Sequence, residues 1–263
     1  MIVRDEFTWS PISTRVSQFA YFDQLLGHPV WQGRRVLDFG GNIGGLLVGA
    51  DEQIDHADYW CIDLNRAAIE EGRRRYPRAH FLHYDRYSSQ YNPGGIRHLP
   101  IPDCGVSFDI ILAFSVFTHA HKAEVTELVN DLQGMLAPGG VLAFTFCDAR
   151  YDRSLTGPDL TAGSDVRKIL EKLKDKLSSR AILQPDEIDE IVSRASQAKW
   201  CLLIDEQLYV EPDAELCNQQ RTGTPAESYN SYFTVDYMAS LFPQAMVLPP
   251  VSPEWQHCCI VKK

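Results

Sequence analysis

The sequence predicts an α/β protein with a mostly parallel sheet and helices on both faces of that sheet. From residue 33 onward, short apolar segments alternate with helical patterns. Most of the apolar segments end at or near a polar residue, and a glycine-dense turn follows the first one. Strands that alternate with helices are joined by right-handed crossovers, which makes the strands parallel neighbours in one sheet.

The first apolar segment leads into the most informative turn of the chain. Residues 36–45 read VLDFGGNIGG, so a buried strand ends near Asp38, a glycine-rich loop follows, and a helix begins near Gly44. Glycine lets the backbone bend sharply and lets a ligand approach closely. The free N–H groups at a helix N-terminus attract a negative ligand group. This order predicts a loop that binds a nucleotide-type cofactor.

The other elements follow by the same reasoning. A helical lead-in covers residues 9–30, where apolar side chains recur near helical spacing. We predict strands over 35–39, 59–62, 81–84, 108–114 and 141–146, with helices from about 44 and over 66–75 and 122–135. A helix over 234–242 and strands over 246–248 and 256–261 follow later in the chain.

Polar side chains stand at or just past the ends of five strands. They are Asp38, Asp63, Asp85, Ser115 and Asp148. Ligands of open α/β sheets bind at the carboxyl ends of the strands. The sequence therefore predicts one site at this edge of the sheet.

Residues 1–263 are predicted to form a single domain. Its parts are a lead-in (1–32), a cofactor-binding core (33–149), an insertion (150–231) and the end of the core sheet (232–263). Within the insertion, residues 165–179 and 186–199 have amphipathic helical patterns, whereas 200–231 are mixed. Because the insertion follows the fifth strand, we expect it to form a helical lid over the site.

Composition and charge argue against several classes of function. The chain has 263 residues and a formal net charge of −10, without a Lys/Arg run typical of a nucleic-acid surface. The seven cysteines show no paired metal-ligand spacing, so no metal site is expected. Residues 1–6 do not form a signal peptide and no apolar run can span a bilayer, so a cytoplasmic protein with no membrane partner is expected.

Two cofactors suit the glycine-rich loop. Gly40, Asn42 and Gly45 fit a variant of the dinucleotide fingerprint, with Asp63 on a ribose. Against that interpretation stand the long lead-in, the segment FSVFTH after the fourth strand, and LAPGG before the fifth.

With these segments the chain resembles the class I S-adenosylmethionine-dependent methyltransferases. The matching segments are VLDFGGNIGG, CIDLN, FDIILAFSVFTH and LQGMLAPGGVLAFTF. The resemblance is clear over about residues 33–147, weaker over 232–262, and absent between about 150 and 230. It implies a Rossmann-like sheet of seven mostly parallel strands, with S-adenosyl-L-methionine as cofactor.

The resemblance also implies which residues bind the cofactor. They are Asp38, Gly40, Gly41, Asn42, Gly44, Asp63, Leu64, Asp85, Arg86, Phe114 and Ser115. Asp63 would accept from the ribose hydroxyls and Asp85 from the adenine amine. Asp38 and the loop amides would bind the ammonium and carboxylate of the methionine part.

The loop departs from the family at Asn42, where a second glycine is usual. Asn tolerates a left-handed backbone better than most residues, so we predict that Asn42 has a left-handed or similarly strained conformation.

Candidate residues for the chemistry follow the fourth and fifth strands. A hydroxyl or ammonium acceptor needs a base, and His119 is predicted to be that base, with Asp148 as a second candidate. The alternative is that His119 only holds its turn, and His121 is expected to be exposed on the next helix. Tyr21, Tyr229 and Tyr232 are predicted to contact the substrate, although packing within the core explains aromatic residues equally well.

These expectations lead to methyl transfer to a small molecule, of the kind made in secondary metabolism, at O or N rather than C. A protein or peptide methyltransferase, an inactive relative that binds the cofactor, and a nicotinamide oxidoreductase are the alternatives. The sequence is also compatible with a homodimer.

Overall fold

The computed structural model describes residues 13–150, 166–167, 169–170, 183–220, 225–251 and 256–263. Its strands are β1 (Val36–Phe39), β2 (Tyr59–Asp63), β3 (His80–His83), β4 (Phe108–Ala113), β5 (Leu136–Phe146), β6 (Trp200–Ile204), β7 (Gln207–Val210), β8 (Tyr229–Phe233), β9 (Met246–Leu248) and β10 (His257–Lys262). The described helices are α1 (Ser13–Leu25), α2 (Gly45–Ala50), α3 (Arg66–Arg75), α4 (Lys122–Gly134), α5 (Pro185–Gln197), α6 (Asp213–Gln220) and α7 (Val235–Leu241).

Seven of these strands form the central sheet, in the order β3-β2-β1-β4-β5-β10-β9. The first five strands are parallel, and β10 runs antiparallel to both β5 and β9. This confirms the predicted seven-stranded, mostly parallel sheet. The predicted bounds of the first four strands agree within one residue, whereas β5 begins at Leu136 instead of at 141.

Helices cover both faces of the sheet, as predicted. On one face, Phe22 of α1, Leu47 of α2 and Ile69 of α3 share a core cluster. On the other face, Leu132 of α4 and Met238 of α7 pack in a second cluster. All four residues of β1 are buried, as expected of a central strand covered on both sides.

The insertion is a mixed structure instead of the helical lid that the sequence predicts. Strands β6, β7 and β8 form a separate antiparallel sheet in the order β7-β6-β8. One face of it, with Trp200 and Leu202, joins the main core, and the other, with Cys201 and Leu203, packs against α5. Because β6 is buried on both faces, its sequence lacks the alternation of apolar and polar residues that would reveal a strand.

Parts of the predicted insertion lie outside the described residues. Of the helix predicted over 165–179, residues 166–167 and 169–170 are helical and the rest are not described. No helix within the described ranges is long and apolar enough to cross a membrane.

His121 is buried, which corrects the expectation that it is exposed. It is the N-cap of α4, where its Nδ1 accepts from the Ala123 N–H over 3.1 Å. Its backbone N–H donates to Glu124 Oε2, which completes a capping box. Its Nε2 lies 3.0 Å from the Ala214 carbonyl of α6, so the same ring joins the insertion to the core.

Candidate active site

A cavity of about 400 Å³ opens at the carboxyl ends of β1, β2 and β4. Most of the predicted site residues line it: Asp38, Gly40, Gly41, Asn42, Asp63, Leu64, Arg86, Phe114, Ser115, His119 and Tyr229. Gly44, Asp85, Tyr21 and Tyr232 are not among its lining residues. The sheet therefore brings the strand ends together at one edge, as a parallel topology requires.

The glycine-rich loop has the left-handed backbone that the sequence predicts. Asn42 has φ +55°, and its Oδ1 accepts from the Ile43 N–H over 2.9 Å. Gly44, with φ +82°, is the N-cap of α2 and lies just outside the cavity lining. The loop thus turns tightly at Asn42 without a glycine, because the short amide side chain supports the turn locally.

Asp63, at the end of β2, fastens the loop to the sheet. Its Oδ2 accepts from the Asn42 N–H over 2.8 Å, and its Oδ1 accepts from the Asn65 N–H over 2.7 Å. A carboxylate oxygen has more than one lone-pair site, so both oxygens keep capacity for a further donor. Asp63 also lines the cavity, which places this acceptor capacity where a ligand hydroxyl can reach it.

Asp38 is buried beneath the loop. Its Oδ2 accepts from the Tyr59 hydroxyl over 2.6 Å, and its side chain and backbone are only 5% exposed. Burial and the nearby Asp38 raise the pKa of Tyr59 well above its ordinary value, so Tyr59 stays a donor. A Cβ at position 41 would overlap the Asp38 carboxylate, which explains why glycine is required there.

The third strand end differs from the prediction. Asp85 is exposed and its carboxylate accepts from Asn92 Nδ2 over 3.0 Å, so it is turned to its own loop instead of to the cavity. Arg86 does line the cavity, but its guanidinium forms a two-point contact with Glu127 at 3.0 Å for each nitrogen. Tyr87, beside it, also lines the cavity, and the Arg97 guanidinium lies over its ring, 3.8 Å from the centroid.

A buried polar network supports the end of β4. Ser115 has φ +58°; its N–H donates to Thr145 Oγ1 over 2.7 Å, and its Oγ accepts from Gln256 Nε2 over 2.9 Å. The Thr145 hydroxyl in turn donates to Gln256 Oε1. The backbone turn at Ser115 is thereby fixed from both β5 and the segment before β10.

Tyr21 belongs to this network and does not line the cavity, contrary to the prediction. Its hydroxyl donates to the Gln256 carbonyl over 2.8 Å, and its ring meets the Phe114 ring edge-on with centroids 5.7 Å apart. Tyr232 likewise packs in the core of the insertion, in the cluster that contains Cys147. Of the three tyrosines predicted to contact substrate, Tyr229 is the one at the cavity.

His119 ends a single 3-10 turn after β4 and lines the cavity. Its Nδ1 lies 2.7 Å from the Tyr229 carbonyl. Because a carbonyl only accepts, the hydrogen is on Nδ1 and the lone pair of the neutral ring is on Nε2. Burial lowers the pKa of His119 below its ordinary value, which keeps the ring neutral near pH 7.

Asp148, the second candidate base, is not at the cavity. It is buried, and its carboxylate oxygens accept from Arg150 Nε and Nη2, the latter over 2.6 Å. Among the described residues, no group of His, Cys, Asp or Glu side chains is arranged to hold a metal ion.

The cavity also has lining residues that the sequence did not single out. They are Gln18, Tyr84, Ser88, Ser89, Gln90, Tyr91, Val116, Ala120, Glu124 and Leu128, among others. The run from Tyr87 to Tyr91 follows the predicted third strand and leads into the predicted loop. Its density of aromatic and amide side chains beside a strand end is the signal that could have identified it.

A comparison of sequences identifies the domain. Residues 37–142 match a family model described as a methyltransferase domain. Over 170 residues the chain is 24% identical to a non-reducing polyketide synthase of Aspergillus terreus. That match covers 62% of this chain and 6% of the much longer synthase.

Solved structures share the whole fold. An amino pentose methyltransferase from Micromonospora echinaspora is 15% identical, with a TM-score of 0.50 over 97% of this chain and 92% of its own. A glycopeptide N-methyltransferase complexed with sinefungin is 12% identical, with a TM-score of 0.52 over 95% and 94% of the two chains. The matched methyltransferase domain and the shared seven-stranded sheet support a class I S-adenosylmethionine-dependent methyltransferase.

Proposed function

We propose that this chain binds S-adenosylmethionine in the cavity and transfers its methyl group to a hydroxyl or amine of a small molecule. One observation carries the proposal. The loop at Gly40–Asn42, the carboxylates of Asp38 and Asp63, and the ring of His119 all line one cavity of about 400 Å³. A ligand of the size of a nucleoside with an amino acid attached, together with part of an acceptor, suits a cavity of this volume.

The residues present fit this cofactor. Asp63 keeps acceptor capacity for the ribose hydroxyls, and the loop backbone is open to the methionine part. The buried Asp38 supplies the negative charge that an ammonium group requires. Tyr87 and Leu64 offer an aromatic and an apolar side chain for the adenine, in the role predicted for Asp85.

His119 is the base in this proposal. When bound, the cofactor would supply a methyl group whose bond to sulfur breaks as the acceptor oxygen or nitrogen bonds to that carbon, and the acceptor atom must then lose a proton. The proton goes to Nε2 of His119, while Nδ1–H stays bound to the Tyr229 carbonyl. The bond between that carbonyl and Nδ1–H then stabilises the imidazolium that forms, as the orienting group of a catalytic histidine does.

The charges at the cavity favour a neutral or cationic acceptor. Its acidic lining residues are Asp38, Asp63 and Glu124, and its only basic side chain besides His119 is Arg86, among the described residues. The guanidinium of Arg86 is neutralised by Glu127. A carboxylate or phosphate acceptor would meet uncompensated negative charge, so hydroxyl and amine acceptors fit better.

The comparisons support a small acceptor. One structural neighbour is described as an amino pentose methyltransferase involved in calicheamicin biosynthesis, and another as a glycopeptide N-methyltransferase. The matching region of the fungal protein belongs to a polyketide synthase. These descriptions point to acceptors from secondary metabolism, with a sugar, a polyketide or a peptide-linked amine as the first compounds to test.

The experiment follows S-adenosylhomocysteine by mass spectrometry while the protein is supplied with S-adenosylmethionine and a panel of hydroxyl, amine and carboxylate acceptors. We expect turnover with a hydroxyl or amine acceptor, and a loss of at least about 100-fold in His119→Gln. The matched control is His28→Gln, since the His28 side chain is 73% exposed and does not line the cavity. Full turnover by His119→Gln, or S-adenosylmethionine bound without turnover of any acceptor in a broad panel, would contradict the proposal.

A further inference from the structure

We infer that Gln90 is a positioning residue that holds the Tyr229 carbonyl in place and thereby sets the tautomer and orientation of His119. The inference deepens the proposed function and rests on the role of His119 as base. It concerns one strand edge, one loop and one ring, each of which the structure describes.

Strand β8 has an edge that is not paired with another strand of its sheet. β8 is an outer strand of the sheet β7-β6-β8, so one of its edges faces away from β6. In a strand, the N–H and C=O groups of alternate residues point to the same side. The backbone N–H of Phe233 points to the outer side, since it donates to the carbonyl of Cys147, just after β5, over 2.8 Å. Tyr229, four residues earlier, therefore presents its N–H and C=O to the same outer side.

Two side chains occupy this outer edge at Tyr229. Its N–H donates to Gln90 Oε1 over 3.1 Å, and its carbonyl accepts from His119 Nδ1 over 2.7 Å. The backbone of one residue thus connects Gln90 to His119. An outer edge without such partners would leave both groups of Tyr229 to water or to another strand.

Gln90 binds the same segment at a second point. Its Nε2 donates to the Glu227 carbonyl over 3.4 Å, and the adjoining Ser89 carbonyl accepts from the Ala226 N–H over 2.8 Å. The loop that lines the cavity is therefore joined to the segment before β8 by three hydrogen bonds. A primary amide suits this position because it is a donor and an acceptor at once.

The inner side of the same turn is fixed independently. Asp205 Oδ1, at the end of β6, accepts from the N–H groups of Glu227 and Ser228 over 2.9 and 3.1 Å. Loss of Gln90 should therefore leave the turn folded and remove only the bonds to the Tyr229 N–H and the Glu227 carbonyl. That separation makes a local effect on His119 measurable apart from a general loss of structure.

The loop also touches the ring of His119 directly. The Tyr91 ring meets the His119 ring edge-on, with centroids 5.2 Å apart. Residues 89–91 thus restrain the base from two directions, through the Tyr91 ring and through the Tyr229 backbone. Without the bond to Gln90, the Tyr229 carbonyl could move out of the plane of the His119 ring. The hydrogen bond that stabilises the Nδ1–H tautomer of His119 would then be weakened.

The test measures the tautomer of His119 by nitrogen-15 NMR of histidine-labelled protein, with the His119 signals assigned from their loss in His119→Gln. We expect the Nδ1–H form in the wild type and a clear shift towards the Nε2–H form in Gln90→Ala. Gln90→Glu keeps an acceptor for the Tyr229 N–H and should retain most of the Nδ1–H form. Gln244→Ala is the matched control, because Gln244 is an exposed glutamine whose side chain bonds only Gln133 among the described residues.

Turnover provides the second readout, with the acceptor found by the panel above. In Gln90→Ala we expect kcat to fall roughly tenfold or more, with the KM for S-adenosylmethionine little changed, since alignment of the base is lost while cofactor contacts remain. If His119→Gln abolishes turnover but Gln90→Ala keeps the wild-type tautomer and kcat, the inference is wrong and the proposed function stands. If His119→Gln turns over at the wild-type rate, His119 is not the base, whatever the result for Gln90→Ala.

Discussion

The backbone N–H of Asn42 donates to Asp63 Oδ2 over 2.8 Å, which ties the glycine-rich loop to the end of the neighbouring strand. The carboxylate that is proposed to hold the ribose is thus also the group that shapes the loop around the methionine part. The Asp63 side chain therefore affects both the binding of the ribose and the conformation of the loop at the methionine end of the cofactor.

Asp63→Ala should therefore weaken binding of S-adenosylhomocysteine by at least about tenfold, because a charged acceptor is lost. Equilibrium dialysis with radiolabelled ligand measures the affinity. Asp131→Ala, on the exposed surface of α4, is the matched control. An affinity unchanged from that of the control would remove Asp63 from the cofactor site.

Position 42 should discriminate between side chains by backbone conformation. Residue 42 has φ +55°, in the left-handed region, where a β-branched residue is strained. Asn42→Val should therefore lower the free energy of unfolding by about 1–2 kcal/mol. Asn42→Gly relieves that strain and should lie within about 0.5 kcal/mol of the wild type. Urea denaturation followed by circular dichroism compares the two, and equal destabilisation by both substitutions would show that φ is not the determinant.

Tyr59→Phe should destabilise the fold through Asp38. The substitution removes the hydroxyl that donates to a carboxylate with 5% exposure, which leaves a buried charge without that partner. We expect a loss of about 1–3 kcal/mol in the free energy of unfolding at pH 7. Tyr209→Phe removes a hydroxyl that bonds the exposed Gln207 and should cost far less; similar losses in the two variants would contradict the account.

Acid should destabilise the protein in part through His257. Burial lowers the pKa of His257 to about 4 from an ordinary value near 6.5. The unfolded chain then takes up a proton first as the pH falls, so stability present above pH 6.5 is lost between about pH 6.5 and 4, by up to about 3 kcal/mol. His257→Gln should flatten this part of the profile, measured as unfolding free energy against pH. A profile equally steep in His257→Gln would mean that other groups cause the loss.

The central sheet could be predicted because its strands and helices differ in period and because turns separate them. β2 and α3 begin at the predicted residues, where an apolar strand ends at Asp63 and Asn65 caps the following helix. The loop conformation at Asn42 could also be predicted, since few residues other than Asn and Gly adopt it. Local chemistry decided each of these features.

The parts that could not be predicted depend on contacts between distant residues. Tyr21 donates to the carbonyl of Gln256, which lies 235 residues away. Strand β6 of the insertion is buried on both sides, so its sequence shows no strand period. Gln90 and Tyr229 are also far apart in the sequence, so no local pattern predicts the hydrogen bond between them.

The central claim is that the cavity binds S-adenosylmethionine, and isothermal titration calorimetry of the wild-type protein tests it most directly. The account predicts saturable binding of S-adenosylmethionine, and of S-adenosylhomocysteine in competition with it, with no heat of binding from NAD. Binding of NAD alone, or of neither ligand by a folded protein, would contradict it.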